Sequence, residues 1–164
     1  MFVNWFIESS QKFPQRPAVE VNNVQMSYRE LGLLSSKVAT AIQKQNITDS
    51  PIGLLTHRSL ATYAGVLGIM FSKNIYLPLN PYFPPNRTQK MIDMVNCRVL
   101  IIGNECKDYF LKLLPDLPAP MTFILADATG IEEISTGCDH KIILLNELED
   151  AHEIGQAAGA GQVP

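Results

Sequence analysis

The sequence predicts an α/β protein with three layers, in which a mostly parallel sheet carries helices on both faces and an N-terminal hairpin precedes it. Three observations support this prediction. Beyond residue 50, short apolar runs alternate with helical patterns, as in right-handed strand–helix–strand crossovers. The run 99–102 (VLII) is continuously apolar, as is typical of a parallel strand covered on both faces. The chain has 164 residues, of which 46% are hydrophobic and 18% charged, enough for one domain with a buried core.

Hydrophobic periodicity sets the individual elements. Strands show short apolar or alternating runs, whereas helices show apolar residues three or four positions apart. In chain order the predicted elements are a short helix and an irregular turn over 2–17, strands at 18–21 and 24–27, a helix from 28 to about 45, a strand at 52–56, a helix from 59 to about 72, a strand at 75–79, a helix at 87–96, a strand at 99–102, a helix at 107–114, and strands at 121–126 and 142–145.

The hairpin and the start of the long helix have clear local signals. Asn22 and Asn23 separate the first two strands, and asparagine tolerates the positive φ angles of a tight hairpin turn. Ser27 and Glu30 follow with the spacing of a capping box, in which the serine side chain and the glutamate side chain each bind the other residue's backbone N–H. The sequence therefore predicts a helix that begins directly after Ser27.

A rigid corner at 72–87 (SKNIYLPLNPYFPPNR) organises the middle of the chain. Asn74 is expected to take the left-handed conformation that ends a helix. The strand 75–79 is expected to be buried, with pairing limited at Pro78 because proline has no N–H. Pro85 suits the first position of the next helix.

The apolar positions of these elements define a predicted core in one layered domain. Three residues, Met91, Ile92 and Val95, are expected to point inward from the helix 87–96. The other predicted core residues are Tyr28, Leu31, Val38, Val66, Leu67, Leu77, Leu79, Val99 and Ile101.

Composition excludes several classes of function. The formal net charge is -3 and no run of lysine or arginine is present, which argues against a nucleic-acid partner. No apolar run has the length of a membrane span, and the first residues lack the pattern of a signal peptide. Cys97, Cys106 and Cys138 are odd in number and have no metal-ligand spacing, so we interpret them as reduced thiols of a cytoplasmic protein.

No titratable residue stands out as catalytic or metal-binding. His57 follows a strand and could face a cleft, but a solvated loop histidine is the more economical interpretation. His140 and His152 lie in polar stretches that are expected to be exposed, and the absence of partner ligands near them in sequence argues against a metal site. Asp127 and Asp139 flank a loop whose acidic groups are expected to be solvated.

The last ten residues, 155–164, differ in composition from the rest. Gly155, Gly159 and Gly161 could suggest a phosphate-binding loop, but such a loop needs a strand before it, a helix after it, and a lysine with a serine or threonine. We therefore expect residues 1–154 to form the folded unit and residues 155–164 to be a flexible linker at which the chain was truncated.

Several segments together resemble the beginning of the adenylate-forming, AMP-binding enzymes, most of all the amino-acid adenylation domains of nonribosomal peptide synthetases. The resemblance is good over 13–102. The residues that carry it are Met26 to Leu31 (MSYREL), Pro51–Leu55 (PIGLL), Arg58 with Ser59, the corner 72–87, Met91, and Cys97 to Leu100 (CRVL). No segment is specific by itself, whereas their order and spacing are. Two positions depart from the pattern: Asn80 replaces a more usual aspartate, so a strong ion pair with Arg87 is not expected, and Asn74 replaces a glycine-containing stop.

The resemblance implies a ligase. Enzymes of this family join a carboxylate to the α-phosphate of ATP, release pyrophosphate, and pass the acyl group to the phosphopantetheine of a carrier protein or to coenzyme A; ATP and magnesium are their cofactors. The phosphate loop, the ribose-binding aspartate, the magnesium ligand and the catalytic lysine of the family match no position here. We therefore assign no catalytic, cofactor-binding or metal-binding residue, and we expect this chain to be an N-terminal fragment that is inactive alone.

The sequence is also compatible with two other interpretations. One is a complete small domain of flavodoxin-like type that binds a nucleotide, a flavin or a partner protein. Its ligand loop would be 56–59, which lacks glycine, although Ser59 begins a helix whose N-terminus favours anions. The other is an engineered or degenerate interaction module.

Overall fold

The computed structural model describes residues 2–126 and 139–149. Its helices are α1 (Phe2–Lys12), α2 (Tyr28–Gln43), α3 (Leu60–Phe71), α4 (Pro85–Met94) and α5 (Lys107–Leu113). Its strands are β1 (Pro17–Val21), β2 (Val24–Ser27), β3 (Pro51–Leu55), β4 (Ile75–Leu79), β5 (Val99–Ile102), β6 (Thr122–Leu125) and β7 (Lys141–Leu144). Short 3-10 turns lie at Asn104–Cys106, Leu114–Asp116 and Leu145–Glu147. The segment 155–164 and residues 127–138 lie outside the described residues.

The strands form two sheets, and their topology confirms the predicted fold class. β1 and β2 pair as an antiparallel hairpin. The other five strands form one sheet in the order β4-β3-β5-β6-β7, and every pairing within it is parallel. Consecutive strands of this sheet are therefore joined by crossovers, as the alternation in the sequence predicts.

Helices cover both faces of the large sheet. On one face Ile52 and Leu54 of β3 pack with Val38 and Ile42 of α2 and with Ile69 of α3. On the other face the cluster includes residues from β5, β6, α4 and α5: Leu100, Ile102, Phe123, Leu125, Ile92, Phe110 and Leu113. The alternation of side chains along each strand produces these two clusters, because successive residues point to opposite faces. The three-layer prediction is thus confirmed.

The local signals at the hairpin and the helix start are also confirmed. Asn22 and Asn23 have φ angles of 51° and 63°. The backbone N–H of Ser27 donates to the Glu30 carboxylate at 2.8 Å, and the N–H of Glu30 donates to the Ser27 hydroxyl oxygen at 3.3 Å. Both halves of the capping box are therefore present at the start of α2.

Two predictions for the corner need correction. β4 lies at an edge of the sheet, so Ile75 is 56% exposed and Tyr76 41% exposed; the strand is not buried as a whole. The left-handed residue that ends α3 is Lys73, with φ 57°, rather than Asn74. The Asn74 side chain instead accepts a bond from the N–H of Ser50 at 3.1 Å, which ties the corner to the start of β3.

Asn80, Pro85 and Arg87 complete the corner. The side-chain oxygen of Asn80 accepts a bond from the N–H of Tyr82 at 2.9 Å, so asparagine builds the turn without a charge. Pro85 is the first residue of α4. The Arg87 guanidinium lies over the Phe83 ring at 3.8 Å from the ring centre, a cation–π contact in place of an ion pair.

The predicted core is largely confirmed. Six of the nine residues are fully buried: Leu31, Val38, Leu67, Leu79, Val99 and Ile101. Tyr28, Val66 and Leu77 are half-buried. On α4, Ile92 is buried and Met91 packs against the core, whereas Val95 is 43% exposed. The prediction for Val95 is wrong because α4 ends at Met94, before the helical turn that would have directed Val95 inward.

Candidate functional site

The carboxyl edge of the large sheet is where an open α/β fold places a ligand-binding site. The chain runs from β3 to β4 on one side of β3 and then returns to β5 on the other side. The crossover direction reverses there, and open α/β sheets bind ligands in the crevice that such a reversal creates. Here the crevice lies between the loop that follows β3 and the loop that follows β5.

The exposed carboxylate of one residue connects these two loops. Glu105, in the loop after β5, accepts a bond from the backbone N–H of His57 at 2.8 Å and from the hydroxyl of Ser59 at 2.7 Å. Ser59 precedes α3 but makes no side-chain capping bond to it. The Glu105 carboxylate therefore takes the position near the start of α3 that an anionic ligand would otherwise favour.

His57 links this loop to the proline corner. Its Nε2 atom lies 3.2 Å from the Tyr82 hydroxyl, and the two rings meet edge to face with their centres 5.1 Å apart. His57 is half-buried, so the expectation of a solvated loop histidine holds only in part. The loops after β3, β4 and β5 are joined through His57, Tyr82 and Glu105.

The other candidate residues are not brought into this crevice. His140 is half-buried; its Nδ1 accepts a bond from the N–H of Met121 at 3.2 Å, and its ring packs on Phe123 with the centres 4.9 Å apart. The expectation that it lies in an exposed stretch is therefore wrong for its ring. Asp139 is exposed. His152, Asp127 and Cys138 lie outside the described residues.

Two cysteines are described, and both are free and buried. Burial raises the pKa of the Cys97 thiol. Burial, with a smaller effect from the negative charge of Glu105, raises the pKa of Cys106 to about 12. Both thiols are thus protonated at neutral pH and are poor nucleophiles and poor metal ligands. No group of three or more potential metal ligands occurs in residues 2–126 and 139–149.

The helices on one side of the molecule leave an apolar groove. Phe6 of α1 packs on Tyr28 and on Phe71, with ring centres 5.7 Å and 6.2 Å apart. Trp5 and Tyr63 line the same groove and are 67% and 47% exposed. None of the residues that line the groove carries a charge. In the part of the chain that the structure describes, no helix combines the length and the apolar character needed to span a bilayer.

Sequence reasoning did not find the role of Glu105 or of Tyr82. Both act across loops that are distant in sequence, since 48 positions separate His57 from Glu105. The only local signal is Gly103, two residues before Glu105. A Cβ atom at Gly103 would lie 2.6 Å from the carboxylate carbon of Glu105, so glycine leaves the space in which this carboxylate folds back.

A parallel sheet with helices on both faces, and with polar loops that meet at its carboxyl edge, defines an open α/β fold. The family model described as AMP-binding enzyme matches residues 6–152. The chain therefore belongs to the AMP-binding enzyme family, as the resemblance in its motifs indicated.

Curated relatives are peptide synthases. The chain is 27% identical to gramicidin S synthase 2 of Brevibacillus brevis over 160 residues, which is 97% of this chain and 3% of the relative. It is 30% identical to surfactin synthase subunit 3 of Bacillus subtilis (strain 168) over 131 residues, which is 79% of this chain and 10% of the relative. The chain thus spans a tenth or less of the length of these two relatives.

Solved structures share the fold. The adenylation domain AlmE of Vibrio cholerae, in complex with glycyl-adenosine-5'-phosphate, superposes with a TM-score of 0.77 at 15% identity over 86% of this chain and 27% of that one. A benzoate CoA ligase from Burkholderia xenovorans LB400 superposes with a TM-score of 0.72 at 14% identity over 94% of this chain and 30% of that one.

Proposed function

We propose that this chain supplies the N-terminal subdomain of an ATP-dependent ligase that activates a carboxylate, most simply that of an amino acid, as an acyl-adenylate. The observation that carries the proposal is the AMP-binding family match over residues 6–152. An amino-acid substrate is supported by the likeness to peptide synthases. In this proposal residues 1–154 are the subdomain and residues 155–164 are a linker.

The acyl group would pass to a thiol. The likeness to the peptide synthases suggests carrier-protein phosphopantetheine as the acceptor, and the likeness to the benzoate CoA ligase suggests coenzyme A as the alternative. ATP and magnesium are the proposed cofactors of the whole enzyme, which we place in the cytoplasm. The contribution of this chain is structural: its parallel sheet and its joined loops form one side of the frame on which the rest of such an enzyme would fold.

We further propose that the chain has no adenylating activity by itself. None of its residues matches the family's phosphate loop, ribose-binding aspartate or catalytic lysine. The test is ATP–pyrophosphate exchange with the purified 164-residue protein, offered each amino acid and benzoate in turn, with an intact adenylation domain as the positive control. We expect exchange at the level of the buffer blank, and exchange above the blank would overturn the proposal.

The flavodoxin-like alternative predicts a different result. A complete nucleotide- or flavin-binding domain would bind ATP or FMN at the crevice between β3 and β5. The Glu105 carboxylate in that crevice argues against an anionic ligand there, because two like charges would share one position. Isothermal titration of the 164-residue protein with ATP and with FMN separates the two readings: saturable binding of either ligand favours the alternative, and no heat beyond dilution favours the ligase subdomain.

A further inference from the structure

The loop between β3 and α3 is held in a conformation that its own residues disfavour. Arg58 has a φ angle of 45°, in the left-handed region that non-glycine residues rarely adopt. Such a backbone persists only where surrounding groups fix it. Here the side-chain amide of Asn22 donates to the Arg58 carbonyl at 3.2 Å, which fixes one side of this residue.

Glu105 fixes the residues on both sides of Arg58. The carboxylate oxygen Oε1 accepts from the N–H of His57 and from the hydroxyl of Ser59, at 2.8 Å and 2.7 Å. One oxygen atom therefore bridges the positions before and after the strained residue. The negative charge also lies beside the start of α3, where the helix dipole favours an anion.

Gly103 leaves the space that the Glu105 carboxylate occupies when it binds His57 and Ser59. Its backbone has φ -76° and ψ 145°, which any residue can adopt. Glycine is therefore not needed for backbone conformation. A Cβ atom at this position would instead overlap the carboxylate of Glu105. Glycine at 103 is thus explained by the space that the folded-back glutamate occupies.

We propose that Glu105 is an internal latch: it closes the crevice at the reversal of the sheet and holds the β3–α3 loop, including strained Arg58, in one conformation. Through the contact between His57 and Tyr82, the same latch fixes the proline corner. When the carboxylate is displaced, residues 57–59 are released and the crevice between β3 and β5 opens.

Two variants displace the latch by different routes. Glu105→Ala removes the carboxylate, whereas Gly103→Ala keeps it and takes away its space. We expect both variants to stay folded and to increase the hydrogen-exchange rate of the His57 amide about three- to tenfold, the loss expected for one hydrogen bond. Glu147→Ala, which removes an exposed carboxylate from a 3-10 turn of similar kind, is the control and should leave this rate unchanged.

The double variant Gly103→Ala/Glu105→Ala makes the test specific. If both changes act on the one latch, adding Gly103→Ala to Glu105→Ala should give no further increase, because the carboxylate that the new methyl group would displace is already absent. Amide exchange measured by NMR at His57 and Ser59 gives the readout. The proposal is overturned if the His57 exchange rate is unchanged in Glu105→Ala, or if the two rate increases multiply in the double variant. Should Gly103→Ala fail to fold, the comparison of Glu105→Ala with Glu147→Ala still tests the proposal.

Discussion

The contact between α2 and α3 gives the sharpest stability prediction, through the substitution Gly68→Ala. Gly68 lies in α3 against α2 and is buried. A Cβ atom there would lie 2.5 Å from Val38 Cγ1, 2.6 Å from Val38 Cβ and 2.9 Å from the Ser35 carbonyl oxygen. All three distances are shorter than a van der Waals contact, so the two helices cannot keep their present separation once the methyl group is added.

The sign of the effect follows from two opposing magnitudes. Alanine in place of a helical glycine favours folding by about 1 kcal/mol. Overpacking a filled contact costs about 1–3 kcal/mol, and here the upper end applies because neither neighbour can yield. Val38 is β-branched and stiff at its first side-chain torsion, and the Ser35 oxygen belongs to the backbone. We therefore expect Gly68→Ala to lower the free energy of unfolding by about 2 kcal/mol.

Urea denaturation followed by circular dichroism measures this change, and Gly65→Ala is the matched control. The three atoms nearest to a Cβ atom at Gly65 would all belong to the side chain of Leu54, with one methyl carbon at 2.5 Å and the other at 3.3 Å. A leucine side chain can rotate away, so the gain in helix propensity offsets more of the cost and the control should be less destabilised. If Gly68→Ala is as stable as the parent, or no less stable than Gly65→Ala, the reasoning from helix contact is refuted.

Three further predictions concern the capping box and the sheet. Ser27→Ala should lower the free energy of unfolding by about 0.5–2 kcal/mol in denaturant melts, and Ser27→Asp should cost much less because aspartate also caps. The bonds from Ser27 lower the pKa of Glu30 below its ordinary 4.5. The stabilising effect of the ionised Glu30 carboxylate is therefore fully present above pH 4.5 and is lost as the pH falls through the lowered pKa. Glu30→Gln should flatten this part of the pH–stability curve. Leu100→Ala, fully buried in the central layer, should cost about 2–5 kcal/mol, and Leu77→Ala on the half-buried edge strand should cost less.

One result for each variant would contradict these three predictions. Equal midpoints for the parent, Ser27→Ala and Ser27→Asp would mean that the serine hydroxyl does not cap α2. If Glu30→Gln has the same pH–stability profile as the parent, the Glu30 carboxylate does not stabilise the fold through the capping box. A larger loss for Leu77→Ala than for Leu100→Ala would contradict the position of β4 at the edge of the sheet.

The parts of the fold that sequence predicts are those with local causes. The Asn22-Asn23 turn and the capping box at Ser27 and Glu30 depend on residues a few positions apart, and both are present in the structure. The alternation of strands and helices likewise fixes the parallel sheet. The motifs of the family were readable in the same way, as an ordered series of short segments.

The parts that sequence misses depend on long-range neighbours. The order of strands places β4 at an edge, and nothing in its own five residues states this. Likewise, α3 ends at Phe71, so Lys73 takes the left-handed position that follows the helix, while the Asn74 side chain accepts a bond from Ser50, 24 residues earlier. The Glu105 latch has the same character, since its partners come from a different loop.

The edge position of β4 has a consequence for how the protein behaves at high concentration. The N–H of Ile75 donates to Ser50, toward β3, and backbone groups alternate in direction along a strand, so Tyr76 and Pro78 are the residues that face away from β3. Proline has no N–H to offer, and only Tyr76 remains as a donor inside the strand. A strand of a second molecule would therefore form only an interrupted set of backbone hydrogen bonds at this edge. An edge proline such as Pro78 is one of the features by which natural sheets discourage edge-to-edge aggregation.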